Sequence, residues 1–154
     1  MNLKNYGRPN LQNLNNRRII HRLKQNILTD GPRCKKFEEL ISKKVGAKYT
    51  VVCNNGTSAL FMAILATRQK KITAIIPNIN FVASSSILSL IGAKIFLCDV
   101  DPSTGMVNAK NFSECLKVAT KKKYKPNLFI PVHYAGLVCD LKNIKKICKK
   151  NNII

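Results

Sequence analysis

No run of apolar residues in this chain approaches the length of about 20 needed to span a bilayer. The opening stretch MNLKNYGRPN carries no apolar segment of the secretory kind. Neither secretion nor membrane insertion is expected, and the cytoplasm is the expected location. No two of the six cysteines (Cys34, Cys53, Cys98, Cys115, Cys139 and Cys148) stand at the CxxC separation of a zinc knuckle. Several fall inside apolar runs such as YTVVC and IFLC, where a free cysteine behaves as a small hydrophobe. Buried, reduced cysteine is the expectation, with no metal centre and no disulfide frame.

Acidic residues are scarce too: seven Asp and Glu face 27 Lys and Arg, for a formal net charge of +20. A charge of that size raises a nucleic-acid or anionic-surface partner. Several features oppose it. The lysines are spread over many segments of a chain rich in Lys, Asn and Ile. The densest clusters, Lys121 to Lys123 and Lys145 to Lys150, fall where a loop and a solvated helix face are expected. There are no interleaved aromatics to stack bases, and no zinc-finger, RRM or KH signature. A basic nucleic-acid-binding domain is therefore the alternative reading rather than the leading one.

No linker or internal repeat divides the sequence, which reads as a continuous piece of one domain. Its 45% apolar content and 154 residues are enough for a real core. Residues 11–25 place Leu11, Leu14, Arg18, Ile19 and Leu23 near helical spacing, and TDGP (Thr29 to Pro32) then breaks the chain. Residues 34–45 put Phe37, Leu40, Ile41 and Val45 on one helical face ended by Gly46. An alternation follows. Strands are predicted at 49–53, 72–76 (closed by Pro77), 94–98 and 127–132. Helices are predicted at 57–67, 82–91 (stopped by Gly92), 107–119 and 141–150. The 57–67 helix is apolar nearly all round, so burial on more than one side is expected. The closing NNII looks like the opening of another strand. Apolar strands alternating with helices imply α/β architecture: a three-layer α/β/α fold with a mostly parallel sheet and any ligand site at the strands' C-terminal edge. A strand that stops after two apolar residues suggests an incomplete large domain, truncated at the C-terminus.

Asn54-Asn55-Gly56-Thr57-Ser58 follows a strand and opens a helix. Gly56 permits close backbone approach, and the amides of Thr57, Ser58 and Ala59 with two hydroxyls could face an anion. Equally, Asn55 or Thr57 could simply cap the helix. The turn is neither a Walker A motif nor a GxGxxG fingerprint. Phe81, in PNINFVASS, stands at a strand's C-terminal edge and could stack on a planar ring or be a core residue. His133, in PVHYAG, also follows a strand; a hydrogen-bonded structural role is the simpler one. Asp99 and Asp101 could resemble a metal pair, but Pro102 and Gly105 favour a capped turn. No nucleophile, base and orienter can be assembled from two histidines.

The order NNGTSAL, then PNINFVASSSILSLIGAKIFLCDVDPSTG, then PVHYAGLVCD resembles the DegT/DnrJ/EryC1/StrS family of pyridoxal-phosphate sugar aminotransferases. The likeness covers nearly the whole chain and corresponds to the amino-terminal part of a protein more than twice as long. YGRPN and ILTDGPRCKKFEEL are similar to the branch that aminates UDP-linked 4-keto-6-deoxy-N-acetylhexosamines toward pseudaminic acid. The resemblance implies the large domain of a fold-type I transferase, pyridoxal 5'-phosphate (PLP) as cofactor, an amino-acid donor, a nucleotide-sugar substrate and a homodimer. It implies that Gly56, Thr57 and Ser58 hold the cofactor phosphate and that Phe81 stacks on its ring. It places Tyr6 and the loop Asn26, Ile27, Leu28 and Thr29 at the nucleotide sugar, and makes His133 and Gly136 structural. Residues 1–32 would then be an N-terminal helix and substrate loop, and 33–154 a partial PLP-binding domain. In the family, an aspartate on the next strand pairs with the pyridine nitrogen and a later lysine forms the Schiff base. No lysine here stands in that context, so these residues alone are expected to be inactive. A remnant that only dimerises with a full-length partner is a further alternative.

Overall fold

In the computed structural model the described residues are Arg17, Ile20, His21, Lys24 and 30–154. Of the helix expected over 11–25, Arg17, Ile20 and His21 are helical and Lys24 is in a turn; its other residues, with Tyr6, Asn26, Ile27, Leu28 and Thr29, lie outside the described residues. The chain divides into two compact units, Met1–Val52 and Cys53–Ile154.

In the first unit, α1 spans Pro32–Val45. Pro32 suits the first turn, where an amide would have no intrahelical acceptor. Gly46 ends the helix at φ 70, donating its amide to Ser42 O, and Lys43 and Lys44 complement the C-terminal dipole. Phe37, Leu40 and Val45 on the predicted apolar face remain exposed. The strand expected at 49–53 does not form among the described residues. That stretch is instead pinned by α1 side chains: Thr50 Oγ1 donates to Ser42 Oγ at 3.2 Å, and the Val52 amide to Glu38 Oε1 at 2.9 Å. Its β-branched run favours extended backbone, but a strand also needs a neighbour's ladder, and Val51 stays 71% exposed.

The second unit contains α2 (Gly56–Ala66), β1 (Thr73–Pro77), α3 (Ala83–Leu90), β2 (Lys94–Cys98), α4 (Ala109–Lys121), β3 (Leu128–Phe129) and α5 (Leu141–Lys150). The strands are parallel in the order β2–β1–β3, with Ile75 opposite both Phe96 and Phe129. β3 is shorter than the predicted 127–132. The Ile130 amide still reaches Ile75 O at 3.1 Å, but Pro131 has no N–H to continue the ladder. On the outer side of β3 the Ile154 amide donates to Asn127 O at 3.1 Å, and its carbonyl accepts the Phe129 amide at 2.8 Å. Of the closing NNII, Ile154 alone pairs with β3, while Asn151 and Asn152 form a turn and no fourth strand forms among the described residues.

The period-2 alternation of β1 sorts its side chains onto two covered faces. Ile75 joins Cys98, Phe112, Phe129 and Ile144 under α4 and α5; Ala74 and Ile76 join Ile64, Ile87 and Leu88 under α2 and α3. This is the expected α/β/α sandwich. Full burial of Ile75 and Ile76 contributes about 1.5–3 kcal/mol each. The rings of Phe112 and Phe129 meet at 4.5 Å. One expectation fails: in α2 only Ile64 is buried, while Met62 and Leu65 are 40% and 54% exposed. Composition made this helix apolar all round, but neighbours cover one side only. All six cysteines are free. Burial raises the thiol pKa of Cys139 and Cys148, keeping them protonated packing groups. Among the described residues no helix is long and apolar enough to cross a membrane.

Candidate cofactor site at the strand edge

The turn before α2 is built on Asn55, which adopts extended backbone as the helix N-cap and accepts the Ser58 amide on Oδ1 at 2.8 Å. The Ala59 amide is also taken, by Asn55 O at 3.1 Å. The expected set of three free amides is therefore corrected: Ser58 and Ala59 are spent on the cap, because a side-chain carbonyl and the first helical bond reach them first. The amides of Gly56 and Thr57 have no protein acceptor among the described residues, nor do the hydroxyls of Thr57 and Ser58 donate to one. A Cβ added to Gly56 would meet nothing within 4 Å. Two amides, two hydroxyls and the positive end of an 11-residue helix thus border open space that suits a phosphate.

α2 leads through a short connection into the start of β1, and from the C-terminal edge of β1 runs Pro77-Asn78-Ile79-Asn80-Phe81. The Asn78 amide donates to Cys98 O at 2.9 Å and its Nδ2 to Asp99 Oδ1 at 3.0 Å, while Asn80 Nδ2 donates to Pro77 O. These bonds tie the segment to the ends of β1 and β2. Phe81 then opens α3, its carbonyl accepting the Ser84 amide at 3.2 Å, and its ring is 77% exposed. The core role considered for this phenylalanine is excluded: its large apolar ring stands in solvent just past the end of β1. Asn78 carries no motif and goes unmarked in the sequence. Its one available signal is an amide side chain directly after a strand that ends in proline.

The remaining candidates are structural. His133 Nδ1 accepts the Cys139 amide at 3.1 Å, across a turn in which Ala135 and Gly136 both have positive φ. Asp101 Oδ1 accepts from the amide of Ser103 at 2.9 Å and from its hydroxyl, and Oδ2 accepts from Asn108 at 3.1 Å. The Ser103 bonds hold the Asp101 carboxyl below its ordinary pKa. Asp101 is thus committed to closing its turn.

Residues 9–154 match the family model described as the DegT/DnrJ/EryC1/StrS aminotransferase family. The chain belongs to that family. It is 29% identical over 119 residues to GDP-perosamine synthase of Caulobacter vibrioides, covering 77% of this chain and 30% of that protein. It is 29% identical to an aminotransferase from Psychrobacter cryohalolentis whose structure superposes with a TM-score of 0.75, covering 89% and 33% of the two chains. The PMP form of a sugar aminotransferase from Streptococcus pneumoniae is 25% identical with a TM-score of 0.73, covering 86% and 32%. The chain spans about a third of the length of the curated relatives it matches. The parallel sheet and both flanking helix layers are those of the DegT/DnrJ/EryC1/StrS aminotransferases.

Proposed function

We propose that residues 53–154 form the phosphate- and ring-binding half of a PLP site. The aminotransferase to which that half belongs moves an amino group, from glutamate, to a nucleotide-linked 4-keto-6-deoxy sugar. The observation that supports the reading is the exposed ring of Phe81 after β1, together with the open turn at Gly56 before α2. In this reading the amides of Gly56 and Thr57 and the hydroxyls of Thr57 and Ser58 bind the cofactor phosphate, and Phe81 covers one face of the pyridine ring. Asn78 and Asp99 fix the segment that carries the ring. When bound, the cofactor supplies an electron sink for breaking bonds at the amino-bearing carbon. Phe81 contributes orientation and exclusion of water from one face of that ring.

The sugar relatives support a place in surface-polysaccharide or nonulosonic-acid synthesis, with the pseudaminic-acid branch favoured by YGRPN and ILTDGPRCKKFEEL. Tyr6, Asn26, Ile27, Leu28 and Thr29 are proposed to meet the nucleotide sugar. A homodimer working in the cytoplasm completes the proposal. No lysine of the 154 stands in the context of the cofactor-bearing lysine, so the chain by itself is expected to bind cofactor without turning over. Incubation with PLP and glutamate should yield no 2-oxoglutarate, and borohydride should label no single lysine stoichiometrically by mass spectrometry. Formation of 2-oxoglutarate, or one fully labelled lysine, would sink this reading.

A further inference from the structure

α4 and α5 pack side by side on one face of the sheet, and between them runs a groove of about 600 Å³. Lys117 lines it from α4, Lys146 and Lys150 from α5, with Leu116 and Ile147 between them and Thr120 on the rim. Eleven lysines lie between Ala109 and Lys150, against the acids Glu114 and Asp140. The acids of this unit are already committed elsewhere, Glu114 excepted. Asp99 accepts from Asn78, Asp101 from Ser103 and Asn108, and Asp140 from Asn143 at the cap of α5. Three of these lysines, from two helices far apart in sequence, are thus brought by the fold to one groove whose lining holds no carboxylate.

We propose that this groove binds the phosphate backbone of single-stranded nucleic acid without reading its bases. Lysines on both walls suit a linear polyanion lying between them, whereas a flat lipid surface would meet only the crests of the helices. Base readout has no platform there: the nearby Tyr124 ring is engaged edge-on by Phe96 at 5.4 Å and covered by Lys94 at 5.2 Å. The site is separate from the strand edge and stands whether or not a cofactor binds there.

The test is anisotropy of a short fluorescein-labelled oligothymidylate with the 154-residue chain. Neutralising three phosphates of a single strand gives a log–log salt slope of about −2, a roughly 20-fold loss between about 50 and 200 mM salt. The triple variant Lys117→Glu, Lys146→Glu, Lys150→Glu should lose at least about tenfold in affinity and most of that slope. A charge-matched control, Lys43→Glu, Lys44→Glu, Lys70→Glu, should stay near the native value, and oligoadenylate should bind like oligothymidylate. Circular dichroism checks the fold, with the corresponding Lys→Gln set used if the Glu set unfolds. Equal losses in the groove and control variants would overturn the proposal, as would tighter binding to phosphatidylserine vesicles than to the oligonucleotide, or no binding at the lowest salt.

Discussion

Replacing Phe81 by alanine separates a ligand-facing ring from a packing one. Full burial of a phenylalanine is worth about 1.5–3 kcal/mol, and the Phe81 ring, 77% exposed, keeps about a quarter of that contact. The variant should therefore lose no more than about 0.7 kcal/mol of folding stability. Phe112, with no exposure and Phe129 at 4.5 Å, should cost about 3–5 kcal/mol when cut to alanine. Stacking on a pyridine ring is worth about 0.5–1.5 kcal/mol, so Phe81→Ala should weaken pyridoxamine 5'-phosphate binding about 2- to 13-fold. Urea unfolding followed by circular dichroism gives the first quantity, and ligand titration by amide chemical shift the second. A stability loss above about 1.5 kcal/mol, or unchanged ligand affinity, would refute the assignment of Phe81.

Gly56→Ala should leave stability unchanged or raise it by up to about 1 kcal/mol, since the added Cβ meets nothing and alanine favours helix, while phosphate binding falls. Urea midpoints and phosphate titration check the two arms. The neighbouring Cys98 thiol lowers the Cys115 thiol pKa, while Cys115 and burial raise that of Cys98. Cys115 should accordingly alkylate with iodoacetamide before Cys98, Cys139 and Cys148, as peptide mass mapping would show. Asp101 has a folded pKa below its ordinary 3.8, so its contribution is present above that value and lost as pH falls through the lower folded one. A carboxyl titration by NMR should place its midpoint under 3.8, and Asp101→Asn should flatten the stability profile in that acid window.

Local pattern located most elements. Residues 94–98 and 141–150 form the strand and helix read from them, and Gly92 stops α3 with φ 70. What escaped is set by neighbours rather than by the segment itself. The extended stretch at 49–52 has the composition of a strand but takes its hydrogen bonds from Ser42 and Glu38 of α1. The apolar circumference of α2 does not say which side another helix covers. At the site, the exposure of Phe81 could not be read from its type, since aromatics after strands are more often core. Competition between Asn55 and a ligand for the Ser58 amide was visible only as two rival roles for one turn, and both persist: the cap takes Ser58, and Gly56 and Thr57 stay free. The seven acids are legible in sequence, but which of them are consumed by turns and caps is not.

The central claim is that the Gly56 turn and Phe81 serve one cofactor. Its most direct test is a nitrogen–proton correlation spectrum of the 154-residue chain, titrated with pyridoxamine 5'-phosphate, which cannot form a Schiff base with stray lysines. The amides of Gly56 and Thr57 should move first, with those around Phe81 following in the same saturable transition, and pyridoxamine lacking the phosphate should move none of them. Shifts confined to the lysine-rich face of α4 and α5, or identical shifts with and without the phosphate, would contradict it.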